Sequence, residues 1–197
     1  RRLCALLSGG QEICEVAILT DGNDMAWEAA RALYQAQTGF LYIDGAALAE
    51  AAVYGDRLVS GPHAFRAVVC DPALPEGAPL PPRLEEFARA GGAVFRSGTR
   101  EDLAEALAQR IGRDAYWPGA PDVRCLHYRR GALECYFLVN EGEKAVRGTL
   151  SLGTVGALEV WDPLTGSTRP HPARAQGDSL VTWLALERRQ GLVLAVD

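Results

Sequence analysis

The spacing of apolar positions changes character once along the chain, near residue 120. Before that point, short continuous apolar runs alternate with stretches in which apolar residues return every three or four positions. The runs at 15–19, 40–43, 67–70 and 93–95 have the length and continuity of strands buried on both faces of a parallel sheet. Between the first two, residues 25–37 place Trp27, Ala30, Leu33 and Tyr34 at helical spacing in an alanine-rich setting. Residues 46–52 read as a short helix and 57–62 as an excursion ahead of the third strand. Residues 81–90 read as a helix that opens on Pro81-Pro82 and stops before Gly91-Gly92. Residues 99–111 follow as a helix with Thr99 and Asp102 in capping-box positions. Four alternations of strand and helix predict a doubly wound parallel sheet with helices on both faces.

The segment Trp117-Pro118-Gly119-Ala120-Pro121 is rigid and hostile to helix, and beyond it the pattern is different. Short runs at 123–129, 133–139, 146–152, 157–161, 180–186 and 192–196 are separated by turn residues, which predicts an antiparallel β-sandwich. Trp161 and Trp183 are assigned to its core. At the other end, Leu3, Leu6 and Leu7 have helical spacing and stop at Gly9-Gly10. The expected organisation is therefore a helix tail of a preceding domain at 1–14, an α/β domain at 15–118 and a sandwich at 122–197.

Composition narrows the class without changing this picture. Apolar residues make up 48% and charged residues 23%, as in soluble globular domains. The formal net charge of -5, with acids and bases interspersed, offers no basic stripe to nucleic acid. No apolar run reaches the roughly 18 residues that cross a bilayer, so no membrane partner is expected. The chain opens on Arg1-Arg2-Leu3 and its one methionine is Met25, which reads as a segment of a longer protein. Cys4, Cys14, Cys70, Cys125 and Cys135 form no CxxC pair and read as reduced core residues. Reduced cysteines favour the cytoplasm, with a secreted parent left as the alternative.

Chemistry in an open parallel sheet belongs beyond the C-terminal ends of its strands. Asp21, Asn23, Asp44, Asp71 and Ser97 fall there and form the candidate binding crevice, against the ordinary turn and capping duties of Asp and Asn. Cys70, at a strand end, is the candidate nucleophile, but no glycines flank it and the adjacent Asp71 would raise a thiol pKa. His63, His127 and His171 have no metal-ligand spacing, and no glycine-rich phosphate loop is present, so neither metal nor cofactor is expected. Glycoside cleavage needs two carboxylates about 5 to 10 Å apart. Nothing in the sequence pairs any of Glu134, Glu141, Glu143, Glu159 and Glu187.

Several phrases carry a family likeness. They are residues 3–10 running into Val16-Ala17-Ile18-Leu19, then Tyr42-Ile43-Asp44, residues 65–69 and residues 90–94. In the sandwich they are Tyr136-Phe137-Leu138-Val139-Asn140 and Glu159-Val160-Trp161-Asp162-Pro163-Leu164-Thr165-Gly166, the last being the most specific. Together they resemble the C-terminal region of large bacterial glycoside hydrolases of the α-L-rhamnosidase type, family 106 and its relatives with family-2-like sugar-binding domains. The resemblance implies α/β plus all-β architecture: a flavodoxin-like, class I glutamine-amidotransferase-like parallel sheet followed by an antiparallel β-sandwich. It implies an accessory, non-catalytic role beside a catalytic barrel of the same polypeptide, with carbohydrate binding or homo-oligomer contacts as further roles. No catalytic residue carries over, because the catalytic glutamates of such enzymes lie in the barrel. The first strand departs from the family phrase by ending in Thr20-Asp21 rather than a tyrosine-proline pair.

Overall fold

The structure is a computed structural model that describes residues 4, 8–22, 25–70, 74, 77–96 and 103–197. It is mostly β, with few helices. The chain forms two compact units: one gathers 14–33 and 39–112, the other 34–38 and 113–197 together with the N-terminal residues up to Ile13. Strand β1 (Gln11–Glu12) belongs to the second unit.

In the first unit, β2 (Val16–Leu19) and β3 (Phe40–Ile43) flank α1 (Trp27–Gln35), whose residues from Tyr34 onward count with the second unit. After α2 (Gly45–Glu50) come β4 (Ala52–Tyr54), β5 (Arg57–Ser60) and β6 (His63–Phe65). Then follow β7 (Ala67–Val69), α3 (Pro82–Arg89), β8 (Ala93–Phe95) and α4 (Leu103–Ile111). The order β3-β2-β7-β8 is parallel throughout. Every residue of β2 and β7 is buried, which is why these runs are continuous rather than alternating. One face of the sheet presents Val16, Ile18, Ala67 and Val69 to Ala30, Leu33, Leu103 and Leu107. The opposite face presents Ala17, Leu19 and Val68 to Leu48, Leu58, Leu84 and Phe87. Helices thus cover both faces.

Two expectations need correcting in this unit. The excursion at 57–62 is part of an antiparallel meander, β4-β5-β6. Gly55 (φ 57°) and Gly61 (φ 56°) open its two-residue turns in the left-handed region, where glycine has no Cβ to clash. Trp27, expected on the packed face of its helix, is 68% exposed: the buried stripe is Ala29, Ala30 and Leu33, and at 100° per residue Trp27 falls well off it. The capping box at Thr99 and Asp102 and the helix pattern at Leu3, Leu6 and Leu7 lie outside the described residues.

The second unit contains β9 (Ala115–Tyr116), β10 (Val123–Arg130), β11 (Leu133–Asn140) and β12 (Val146–Leu152). It continues with β13 (Leu158–Trp161), β14 (Thr168–Pro170), β15 (Arg174–Gln176), β16 (Ser179–Leu186) and β17 (Gly191–Val196). Two antiparallel sheets result, β1-β10-β11-β17-β13-β14 and β15-β16-β12-β9. Tyr136, Leu138, Val160 and Leu194 of the larger sheet pack with Leu150, Leu152, Leu180 and Leu184 of the smaller one. Each fully buried leucine there contributes about 2 kcal/mol of transfer free energy.

Residues 11–12, expected within the helix tail of a preceding domain at 1–14, instead pair as an edge strand, Gln11 opposite Arg129. Trp117, expected in a linker, is 2% exposed in the sandwich core. Trp183, expected in the core, is 61% exposed, since the alternation of β16 turns Leu180, Thr182, Leu184 and Leu186 inward instead. Trp161 covers Cys135, Val193 and Ala195 on the outer face of the larger sheet.

Gln37 organises the entry to the sandwich. It is 3% exposed and sits in the left-handed region (φ 55°) just past α1. Its Nε2 donates to the carbonyls of Ala120 (2.9 Å) and Val123 (3.2 Å), and its Oε1 accepts the amide of Trp117 (3.0 Å). With the carbonyl of Gln35 (3.0 Å) as a further acceptor, one side chain serves four backbone groups where the chain enters β10.

Candidate functional site

The strand order of the first unit reverses between β2 and β7, and a cleft of about 530 Å³ lies at the C-terminal ends of the strands. Its apolar lining includes Leu19, Leu48, Leu74, Pro81 and Pro82, and its polar lining is Thr20, Asp21, Arg83 and Glu86. Backbone and hydroxyl of Thr20 are both engaged: its amide donates to the carbonyl of Ile43 (2.9 Å), and its Oγ1 accepts the amide of Gly22 (3.0 Å). The start of α3 forms one wall, because Pro81 and Pro82 have no amide proton to lose at a helix N-terminus. Arg83, one residue on, donates from Nη1 to Glu86 Oε2 at 2.6 Å, while its Nε is buried and has no hydrogen-bond partner among the described residues. A buried N–H left unpaired is costly enough to call for a reason.

Of the residues singled out from sequence, Asp21 lines this cleft. The Oδ1 of Asp44 instead accepts the amide of Ala47 (2.7 Å) and caps α2. Asn23, Asp71 and Ser97 lie outside the described residues. Arg83 and Glu86 were not anticipated, although Pro81-Pro82 signals a helix start at a strand's C-terminal side, where such a wall forms.

Cys70 is fully buried in the apolar layer beside Val68, Leu84 and Phe87. Burial pushes its thiol up to about 12, and the Arg96 guanidinium only partly opposes this. That is the reverse of what a nucleophilic cysteine requires. Iodoacetamide is expected to alkylate Cys70 only as fast as the unit unfolds, with rapid labelling confined to exposed Cys4; mass spectrometry of the native protein checks this.

The sandwich holds a second polar cluster that the sequence did not reveal. His127, 7% exposed, places Nδ1 at 2.9 Å from Asp114 Oδ2 and Nε2 at 2.8 Å from Glu134 Oε2. Tyr136 stacks on the imidazole, centroids 4.0 Å apart, and its hydroxyl donates to Asp114 Oδ1 (3.3 Å). Arg129 Nε donates to Glu134 Oε1 (2.6 Å). With a carboxylate on each ring nitrogen both nitrogens must donate, so the arrangement fits the imidazolium. Burial lowers the pKa of His127, but the hydrogen bonds and charges of Asp114 and Glu134 outweigh it and leave the pKa raised. The hairpin register carries the signal: Arg129 faces Glu134 and His127 faces Tyr136, which sets Glu134 diagonally beside the imidazole.

No protein-family model and no curated protein sequence matches the chain. Solved structures do. A rhamnosidase from Novosphingobium sp. PP1Y superposes with a TM-score of 0.68 at 20% identity, covering 97% of this chain and 23% of that one. Alpha-L-fucosidase isoenzyme 2 from Paenibacillus thiaminolyticus gives 0.66 at 11% identity, covering 98% and 50%. A GH42 beta-galactosidase from G. stearothermophilus gives 0.59 at 10% identity, covering 99% and 42%.

The fold is one found within glycoside hydrolases.

This chain spans half or less of the length of these glycoside hydrolases. At such identity the likeness is one of backbone, so neither the cleft nor the histidine cluster takes a role from them. Among the described residues, no helix is long and apolar enough to cross a membrane.

Proposed function

We propose that this chain is the non-catalytic accessory region of a glycoside hydrolase of the α-L-rhamnosidase type. Its partner is the catalytic domain of the same polypeptide, which it supports or helps to oligomerise. The observation that carries the reading is the unequal coverage: nearly all of this chain superposes on less than a quarter of a rhamnosidase. The parallel order β3-β2-β7-β8, which is 2-1-3-4 in chain order of those strands, supports reading the first unit as flavodoxin-like, in the amidotransferase-like variant. An amidotransferase activity has no support in the sealed environment of Cys70.

The test is a screen of nitrophenyl glycosides, α-L-rhamnoside included, against this chain and against the full-length parent. The expected result is turnover by the parent alone. Turnover of any glycoside by the chain itself would place a catalytic centre within these residues and end the accessory reading.

A further inference from the structure

We infer that the free edge of β8 is a docking site for an extended peptide of a separate protein, which adds to the parallel sheet as a fifth strand and carries an acidic side chain toward each end. The inference goes beyond the accessory role, which requires no open edge.

The ladder defines the edge. β8 is the last strand in the order β3-β2-β7-β8. The amide of Ala93 donates to the carbonyl of Arg66 (3.0 Å), and the carbonyl of Phe95 accepts the amide of Cys70 (2.8 Å), so both residues turn their backbone groups toward β7. These groups alternate from one edge to the other along a strand. The N–H and C=O of Val94 therefore point away from β7, and among the described residues no further strand pairs with them. Past this edge runs a groove of about 720 Å³. Its floor is residues 92–96, and its walls include Ala88 of α3 and Ala106 of α4. Leu84 and Phe87 of α3 pack on one face of the sheet, Leu103 and Leu107 of α4 on the other. A groove lined by both helices thus lies beyond the strand rather than on a face. Five floor residues span about 16 Å, the length of a short strand.

The chemistry of the groove selects its occupant. Val94 offers a donor and an acceptor side by side, which the main chain of an extended peptide complements. The wall alanines present only methyl groups, so small apolar side chains fit between the helices. Charge sits at the two ends. Arg96 directly follows β8, and Arg110 reaches the carbonyl of Gly91 ahead of it (3.0 Å). Both cations are anchored on backbone carbonyls, Arg96 on that of Ala78, and no carboxylate lines the groove. An apolar strand with an acid toward each end meets both arginines. A second copy of β8 would instead set arginines against arginines, which disfavours pairing between copies.

The experiment titrates the 197-residue chain into a fluorescein-labelled heptapeptide, with glutamate at each end of a valine-alanine-valine-alanine-valine centre, and reads fluorescence anisotropy. Saturable binding is expected. A lysine-ended version should bind at least about tenfold more weakly, since it brings like charges to Arg96 and Arg110. A version N-methylated at every residue keeps the side chains but cannot join a ladder, and should not bind. Ala106→Phe, which fills the slot from α4, should abolish binding, with circular dichroism to show that the fold is kept. Glu85→Gln, on α3 outside the groove lining, should leave binding unchanged. Amide hydrogen exchange reads the edge itself. The Val94 amide should exchange quickly in the free chain and become protected with peptide bound, whereas that of Ala93 is protected throughout. No binding up to about 1 mM peptide overturns the inference. Equal binding of the lysine-ended or N-methylated peptide, or binding that leaves Val94 unprotected, does the same. So does a Val94 amide already protected in the free chain: protection that grows with protein concentration gives the edge to a second copy, and protection that does not gives it to the chain itself. None of these outcomes bears on the accessory reading, which is decided by turnover in the parent.

Discussion

Gln37→Ala is expected to destabilise the chain by about 3 kcal/mol, chiefly because the buried amide of Trp117 loses its acceptor and the carbonyl of Val123 its side-chain donor. The amide of Trp117 lies past the end of β9 in a non-repetitive segment and depends on Gln37, whereas the carbonyl of Ala120 also accepts the amide of Val123 (3.0 Å) and Val123 is the first residue of β10. Alanine also leaves the αL conformation at φ 55° in place without the hydrogen bonds that hold it there. Gln37→Glu separates the contributions: it keeps an acceptor for Trp117 but sets a carboxylate against two carbonyls, and should cost at least as much. Gln35→Ala, at an exposed position two residues away, should change stability by less than about 0.5 kcal/mol. Urea denaturation followed by tryptophan fluorescence measures all three. A loss below about 1 kcal/mol for Gln37→Ala would show that water replaces the side chain and that the segment is held by apolar packing instead.

The second large effect is tied to pH. His127 has its pKa raised in the folded chain above the ordinary histidine value of about 6.5, so folding binds its proton more tightly than the unfolded chain does. The corresponding stability is fully present below the unfolded value and is lost as pH rises through the folded one. Denaturation midpoints measured from slightly acid to alkaline pH should therefore fall on the alkaline side in the wild type. The fall should be smaller in His127→Gln, which cannot carry the charge. At neutral pH, His127→Ala should cost about 3 kcal/mol, since it takes a hydrogen-bond donor from both carboxylates, leaving Asp114 the Tyr136 hydroxyl and Glu134 the Arg129 guanidinium. A pH profile parallel to that of His127→Gln would mean that the imidazole is neutral in the fold and that the cluster is held by one hydrogen bond rather than two.

What could be read from the sequence follows from how far each signal reaches along the chain. Buried parallel strands such as Val16–Leu19 and Ala67–Val69 announce themselves because both faces are apolar, and six of the sandwich strands because turn residues bound them. The meander β4-β5-β6 was obscured by strands of only three or four residues, although Gly55 and Gly61 opening two-residue turns were a usable signal. Trp183 was misplaced because a large indole carries no information about the parity of its strand, and Trp117 because the proline-flanked segment after β9 reads as a linker although its indole packs into the sandwich core. Asp44 displays the same carboxylate in a capping role as in a binding role, and only the 2.7 Å contact to Ala47 decides between them. The candidate cleft could be placed at the strand ends by the general rule for open sheets. Its Arg83–Glu86 pair is a local i,i+3 contact on α3 that helical spacing could have offered, whereas the Asp114–His127–Glu134 cluster is a product of tertiary register, to which local periodicity is blind.

The position of Gln37 also bears on modularity. By chain order the sandwich starts after residue 112, yet part of its support lies some eighty residues upstream, in a turn inserted between β2 and β3. No single cut in the gene can release a self-sufficient C-terminal module. A recombination junction near residue 113 would deliver the strands but leave behind the carboxamide that ties down the 117–123 segment. The two units are therefore expected to have been inherited, duplicated and lost together.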